Sequence, residues 1–150
     1  MAVVSVRIAA GPIDVAAELA AVEGSGDIGA VVSFTGLCRA EGGRLAALEI
    51  EHYPGMAEAE IGRTVAAAAA RWPLAALRVV HRHGRIRPGE TIVVVIAASA
   101  HRAAAFAAAR FVMDYLKTRA PFWKKEHFAD GTAGDWVSPK AEDDAAAAGW

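Results

Sequence analysis

Cysteine is nearly absent. Cys38 is the only one in 150 residues, so no internal disulfide can form, and a reducing, cytoplasmic setting is the expectation. Long apolar runs are missing too. The alanine run at 66–70 is short and bounded by Arg63 and Arg71, too little to cross a membrane. No basic segment leads into a long apolar stretch at the N-terminus, so no secretory signal is expected. Net charge is missing as well: 16 Lys and Arg against 17 Asp and Glu leave a formal −1. Such a balance lacks the broad positive surface that bulk nucleic-acid binding requires. No internal repeat and no linker divides the chain, whose length suits one domain, 1–150, with a real core.

Positive charge is concentrated instead. The stretch Asp114-Tyr-Leu-Lys-Thr-Arg-Ala-Pro-Phe-Trp-Lys-Lys-Glu126 sets Lys117, Arg119, Lys124 and Lys125 around Ala120, Pro121, Phe122 and Trp123. Pro121 disfavours helix at Ala120, so a helix running into the segment ends near Arg119. Lys117 then occupies a last helical turn, where the dipole favours a cation. Lys124 lies past the bend, which can bring it back towards Lys117. Clustered cations depress one another's pKa, and a lysine tuned this way serves as acid, base or nucleophile. Amines converging beside aromatic rings suit an anion carrying a flat ring system. The bland alternative is a solvated basic surface with a tryptophan that merely packs.

The remaining pattern alternates helix and strand. Strands are expected at 4–8, 28–34 (buried), 48–53, 77–83, 91–97 (central) and 122–128, with a short one at 136–137. A break at Gly11-Pro12-Ile13-Asp14 is expected to lead into a helix through about Val22, with Pro tolerated near the first turn; further helices are expected at 56–72 and at 100–118, the latter capped by Ser99. Residues 41–44 and 87–90 read as loop and turn. The acidic, alanine-rich tail from 138 to 150 is expected to order against a partner. Several connections look like hairpins, which favours a single mixed α+β domain, its sheet mixed or antiparallel and flanked by helices.

Three further places carry chemistry or imitate it. His101 and Arg102 are expected in the first turn of the long helix, where free backbone N–H groups and Arg102 would hold an anion; two solvated side chains are the equal alternative. Arg39 follows a strand and a glycine and offers a planar fork for phosphate or carboxylate. Cys38 beside it lacks an adjacent histidine or a second cysteine and reads as a bystander thiol. His81 and His83 alternate on one strand, a weak zinc signal without a third ligand; a polar face beside a ligand, or protection of a strand edge, suits them better.

Five segments then occur in order: Phe34-Thr-Gly-Leu-Cys-Arg39, Glu51-His-Tyr-Pro-Gly-Met-Ala57, His81-Arg-His-Gly84, Ser99-Ala-His-Arg102 and Asp114 through Glu126. Together, over residues 28–137, they resemble the catalytic (large) subunit of molybdopterin synthase. The resemblance implies an α/β hammerhead-type fold and a homodimer of large subunits. It implies a small ubiquitin-like sulfur-carrier subunit at each end, completing a heterotetramer. The implied reaction is that of a sulfurtransferase. Two sulfurs pass from the small subunit's C-terminal Gly-Gly thiocarboxylate to cyclic pyranopterin monophosphate (precursor Z), building the dithiolene of molybdopterin. Neither a metal nor another cofactor is implied in the subunit. Lys117 and Lys124 fall at the catalytic positions. Leu37, Cys38, Arg39, His101, Arg102, Met113, Lys125 and Glu126 fall at substrate-binding ones. Lys140 stands near where the family often has an arginine that reaches the neighbouring subunit's pocket. It keeps the charge and loses the bidentate fork. Cys38 and His83 stand where aliphatic residues are expected. The sequence closes on Ala148-Gly149-Trp150 rather than Gly-Gly, so the chain is expected to receive sulfur from its partner and not to carry it.

Two other classes fit parts of the pattern. A single-stranded RNA-binding module would use Phe122, Trp123 and the lysines for stacking and phosphate contacts; the balanced charge opposes it. An inactive scaffold for a small ubiquitin-like partner would not need Lys117 and Lys124 together.

Overall fold

The computed structural model describes residues 2–119, 121–137 and 148–150. In chain order the elements are β1 (Val3–Ala9), α1 (Val15–Ala20), β2 (Ala30–Leu37), β3 (Leu45–His52), α2 (Met56–Arg71), β4 (Leu74–Arg82), β5 (Gly84–Ile86), β6 (Thr91–Ser99), α3 (Arg102–Arg119) and β7 (Phe122–Phe128). They build an α+β fold with two sheets. The larger has the order β1-β4-β6-β2, the smaller β5-β3-β7. Only β1 and β4 pair in parallel.

The β-branched run in β6 places that strand inside the larger sheet, and residues 93–98 are at most 5% exposed. Period-two alternation sorts the two faces. Leu77, Val79, Val95 and Ala97 pack with Ile61 and Val65 of α2 and Ala108 and Val112 of α3. Ala76, Val94, Ile96 and Ala98 turn the other way, onto Val15 and Leu19 of α1. Glu18 pins α1 there, its carboxylate held by Arg78 at 2.7 Å and by Arg7. The smaller sheet closes one end of the same core through Ile50 and Ile86, both fully buried.

Several sequence expectations need correction. There are two sheets where one was expected, because β3 pairs with β5 and β7 and not with β6. The three-residue strand β5 lies between the expected strand at 77–83 and the turn at 87–90 and was assigned to neither; it is too short to show a period. β2 is an edge strand, not a buried one: Val31, Phe34 and Leu37 are 39%, 42% and 53% exposed. α1 starts after Asp14, whose side chain accepts the Ala17 N–H, as the break at 11–14 implies, but it ends at Ala20 and not near Val22. α3 starts at Arg102. Ser99 is still strand, and its hydroxyl donates to the Pro73 carbonyl at 2.7 Å, so it ties two elements together instead of capping one. His101 therefore sits in the bend before the helix. β4 is an interior strand, so His81 protects no edge.

Candidate active site

Two elements deliver the lysines. α3 ends at Arg119 as Pro121 requires, and Lys117 lies in its last turn. β7 begins at Phe122 and pairs antiparallel with β3, matching Phe122 to His52, Lys124 to Ile50 and Glu126 to Leu48. Alternation puts Phe122, Lys124 and Glu126 on the inward row with fully buried Ile50. Trp123, Lys125 and His127 take the outward row. There Lys125 lies 5.7 Å from the Trp136 ring centre, and His127 meets Glu49 at 2.9 Å. The adjacent lysines of the motif thus face opposite sides of the sheet. Val137 closes the outer edge of β7, exchanging backbone bonds with Lys124.

His81 lies against Phe122, at the start of β7. Its ring is 7% exposed and stacks on Phe122 at 3.9 Å with an interplanar angle of 13°. Burial pushes its pKa down to about 3, and Lys124, Lys117 and His52 add to that push. Nδ1 lies 2.8 Å from the Arg82 carbonyl. A carbonyl only accepts, so Nδ1 carries the proton and Nε2 keeps its lone pair. His52 extends the row of rings, 6.3 Å from Phe122 and 4.4 Å from His83. His83 is also held below the usual imidazole range, by burial and then by His52. Among the described residues no group of three or more His, Cys, Asp or Glu is placed to hold a metal. The His81–His83 pair reads instead as part of this ring row.

The other sequence candidates divide. Met113, one turn before Lys117, is core at 9% exposure. Leu37 is exposed at the end of β2. Cys38 is buried, with Sγ 3.9 Å from the Ile86 carbonyl oxygen. Burial and then Glu90 push its thiol pKa up, the reverse of what a nucleophile needs, and its backbone groups bond to Glu90 and Gly89. The Arg39 side chain is 82% exposed and pairs with Glu41 at 3.3 Å. Lys140 lies outside the described residues.

His101 and Arg102 do not join this group within one chain. They line a shallow pocket of about 480 Å³ with Gly29, Ala100 and Ala103, at the Ala30–Ser99 end of the larger sheet. Arg39 follows the Leu37–Thr91 end. The intervening strand β2 is about 23 Å long, and α3, which separates Arg102 from the Lys117 turn, about 27 Å. The expectation that Arg39, His101 and Arg102 surround one anion therefore fails for a single copy. His81, His52 and Phe122 form the part of the site that sequence reading did not assign. The available signal was the alternation Leu77, Val79, His81, which carries the imidazole onto the face that packs against α2 and α3.

A two-sheet α+β scaffold sets Lys117 at the end of α3 and Lys124 on β7, with His81 buried against Phe122, and its fold and sequence define the class of protein. The chain belongs to the family described as MoaE protein, whose profile matches residues 8–119. It is 66% identical over 147 residues to the molybdopterin synthase catalytic subunit of Mesorhizobium japonicum, covering 97% of this chain and 92% of that one. A solved molybdopterin biosynthesis MoaE protein from Burkholderia ambifaria superposes with a TM-score of 0.81 at 43% identity, covering 100% and 98% of the two chains. A complex of subunits 1 and 2 of molybdopterin-converting factor from Helicobacter pylori shares the fold, with a TM-score of 0.74 at 19% identity over 91% and 90%. The chain is thus the catalytic-subunit type of molybdopterin synthase, a sulfurtransferase of molybdenum cofactor biosynthesis. That assignment displaces the RNA-binding reading. No helix among the described residues is long and apolar enough to cross a membrane.

Proposed function

We propose that the substrate is cyclic pyranopterin monophosphate, that the sulfur donor is the C-terminal Gly-Gly thiocarboxylate of a small partner subunit, and that Lys117 and Lys124 are the catalytic residues. One observation carries the reading: Lys117 lies in the last turn of α3 and Lys124 on the inward row of β7, either side of the bend at Pro121. This substrate carries a negative phosphate, which ammonium groups match. The donor tail is also anionic, so the same pair draws the two reactants together and supplies protons as bonds to sulfur form. Glycines let that tail pass a narrow channel without side-chain clash. Leu37, Met113, Lys125 and Glu126 are further substrate-binding residues in this reading. The Helicobacter pylori complex of two subunits supports a small partner.

The phosphate site is completed by a second copy. β2 is a free edge with exposed Val31, Phe34 and Leu37. Two copies paired antiparallel along it would set the Leu37 end of one against the Ala30 end of the other. Arg39 of one copy then approaches His101 and Arg102 of its neighbour. With a small subunit on each, the assembly is a heterotetramer. The test mixes this protein with thiocarboxylated small subunit and cyclic pyranopterin monophosphate and assays dithiolene. Product that persists in Lys117→Ala and Lys124→Ala variants would overturn the lysine assignment.

A further inference from the structure

The geometry points to His81 as a positioning residue of this reaction: its unprotonated Nε2 is the neutral acceptor that holds the Lys124 ammonium in line with Lys117. The inference rests on the lysine assignment above and adds to it the group that orients one of the pair.

Three observations converge. The ring cannot turn. Phe122 stacks on one face at 3.9 Å, and Nδ1 is tied to the Arg82 carbonyl at 2.8 Å. The tautomer is therefore set by a backbone acceptor, and the remaining lone pair lies on Nε2. The environment keeps that lone pair free of a proton. Lys124 on β7, Lys117 on α3 and His52 on β3 all oppose a further positive charge on a ring that is already 7% exposed. Finally, Phe122 and Lys124 share one row of β7. The stack that fixes the imidazole therefore also fixes the strand from which Lys124 extends. A phenylalanine would stack as well, but only a neutral imidazole stacks and offers an acceptor to an ammonium.

An acceptor bonded to an ammonium favours its charged form. Removing it lowers the pKa of that lysine, by about one pH unit for a bond to a charged group. The test compares His81→Phe, which keeps the stack and removes both nitrogens, with His81→Gln, which returns an acceptor near the Nε2 position. Lysine acetylation is followed by peptide mapping over a pH series in the assembled complex, alongside sulfur transfer. The expected result is a Lys124 midpoint about one unit lower in His81→Phe, with kcat falling more than KM rises and the pH–rate profile moving with the midpoint. His81→Gln restores part of both. An unchanged Lys124 midpoint in folded His81→Phe would overturn the inference. His81→Leu, which needs no stack, gives the same reading if the phenylalanine variant does not fold. Acetylation does not depend on turnover. Loss of the lysine assignment, seen as activity surviving in Lys117→Ala and Lys124→Ala, is therefore separable from loss of the His81–Lys124 contact.

Discussion

At the scale of the residue, position decides what each ionisable group can do. Lys117 is fixed by a helical turn, whereas Lys124 follows a bend and a strand. Lys117→Ala is expected to abolish sulfur transfer while the fold persists. Lys117→Arg is expected to lose about a hundred-fold or more, because arginine keeps the charge and cannot give up its proton. Near-native turnover in the arginine variant would leave Lys117 only an electrostatic role. His81 makes a different prediction, on stability. Its folded pKa of about 3 lies below the ordinary 6.5. Between those values the unfolded chain binds more protons than the folded one, so stability rises with pH and is complete above 6.5. Lowering the pH from 7 to 5 should remove about 2 kcal/mol through His81 alone, and His83 acts in the same direction. Glu18 is lowered, its bonds to Arg78 and Arg7 outweighing the upward push of burial. Its contribution is therefore present throughout that window and is lost only in more acid solution. Urea unfolding at both pH values checks this: His81→Phe should lose about 2 kcal/mol less on acidification than the parent. Equal losses would mean that the ring takes up its proton in the folded state.

At the scale of the element, the turn before α3 depends on a glycine. A Cβ on Gly29 would come within 2.2 Å of the Ala100 carbonyl oxygen, and the Gly29 N–H bonds to the Ser99 carbonyl at 3.0 Å. Both neighbours are backbone, so the strain cannot be relieved by a rotamer change. Gly29→Ala should cost about 1–3 kcal/mol and displace His101 and Arg102. Melting temperature and substrate affinity should therefore fall together. Affinity unchanged at a lowered melting temperature would detach that turn from the substrate site. The elements themselves were largely legible in the sequence. Pro121 ended α3 where expected, and the β-branched run became the central strand. What stayed hidden was the exposure of β2 and the true start of α3. An apolar run reads alike whether another element of the same chain or a second copy covers it, and Ser99 has the residue type of a cap while its hydroxyl serves Pro73.

At the scale of the whole molecule, the proposed phosphate site draws on more than one chain. Motif order along the sequence made Lys117, Lys124, Arg39, His101 and Arg102 look like one site. The topology separates them into two groups at opposite ends of the larger sheet, because β2 and α3 both run its length. Sequence reading reached the residues but not this separation, which depends on strand direction and not on residue type. An isologous dimer along β2 reunites the groups twice, each time with Arg39 from one copy and Arg102 from the other. Arg39→Ala and Arg102→Ala should each weaken substrate binding about ten- to a hundred-fold, the value of one charged hydrogen bond. Mixed in equal amounts and allowed to exchange, the two variants should recover binding at about a quarter of the sites, since half the dimers are hybrids and each hybrid has one intact site. Phe34→Lys, which puts a charge on the exposed edge, should give monomers by light scattering and no recovery in the mixture. If the mixture of Arg39→Ala and Arg102→Ala binds no better than either variant alone, although both remain dimeric, then each chain builds its phosphate site alone and the β2 pairing is wrong.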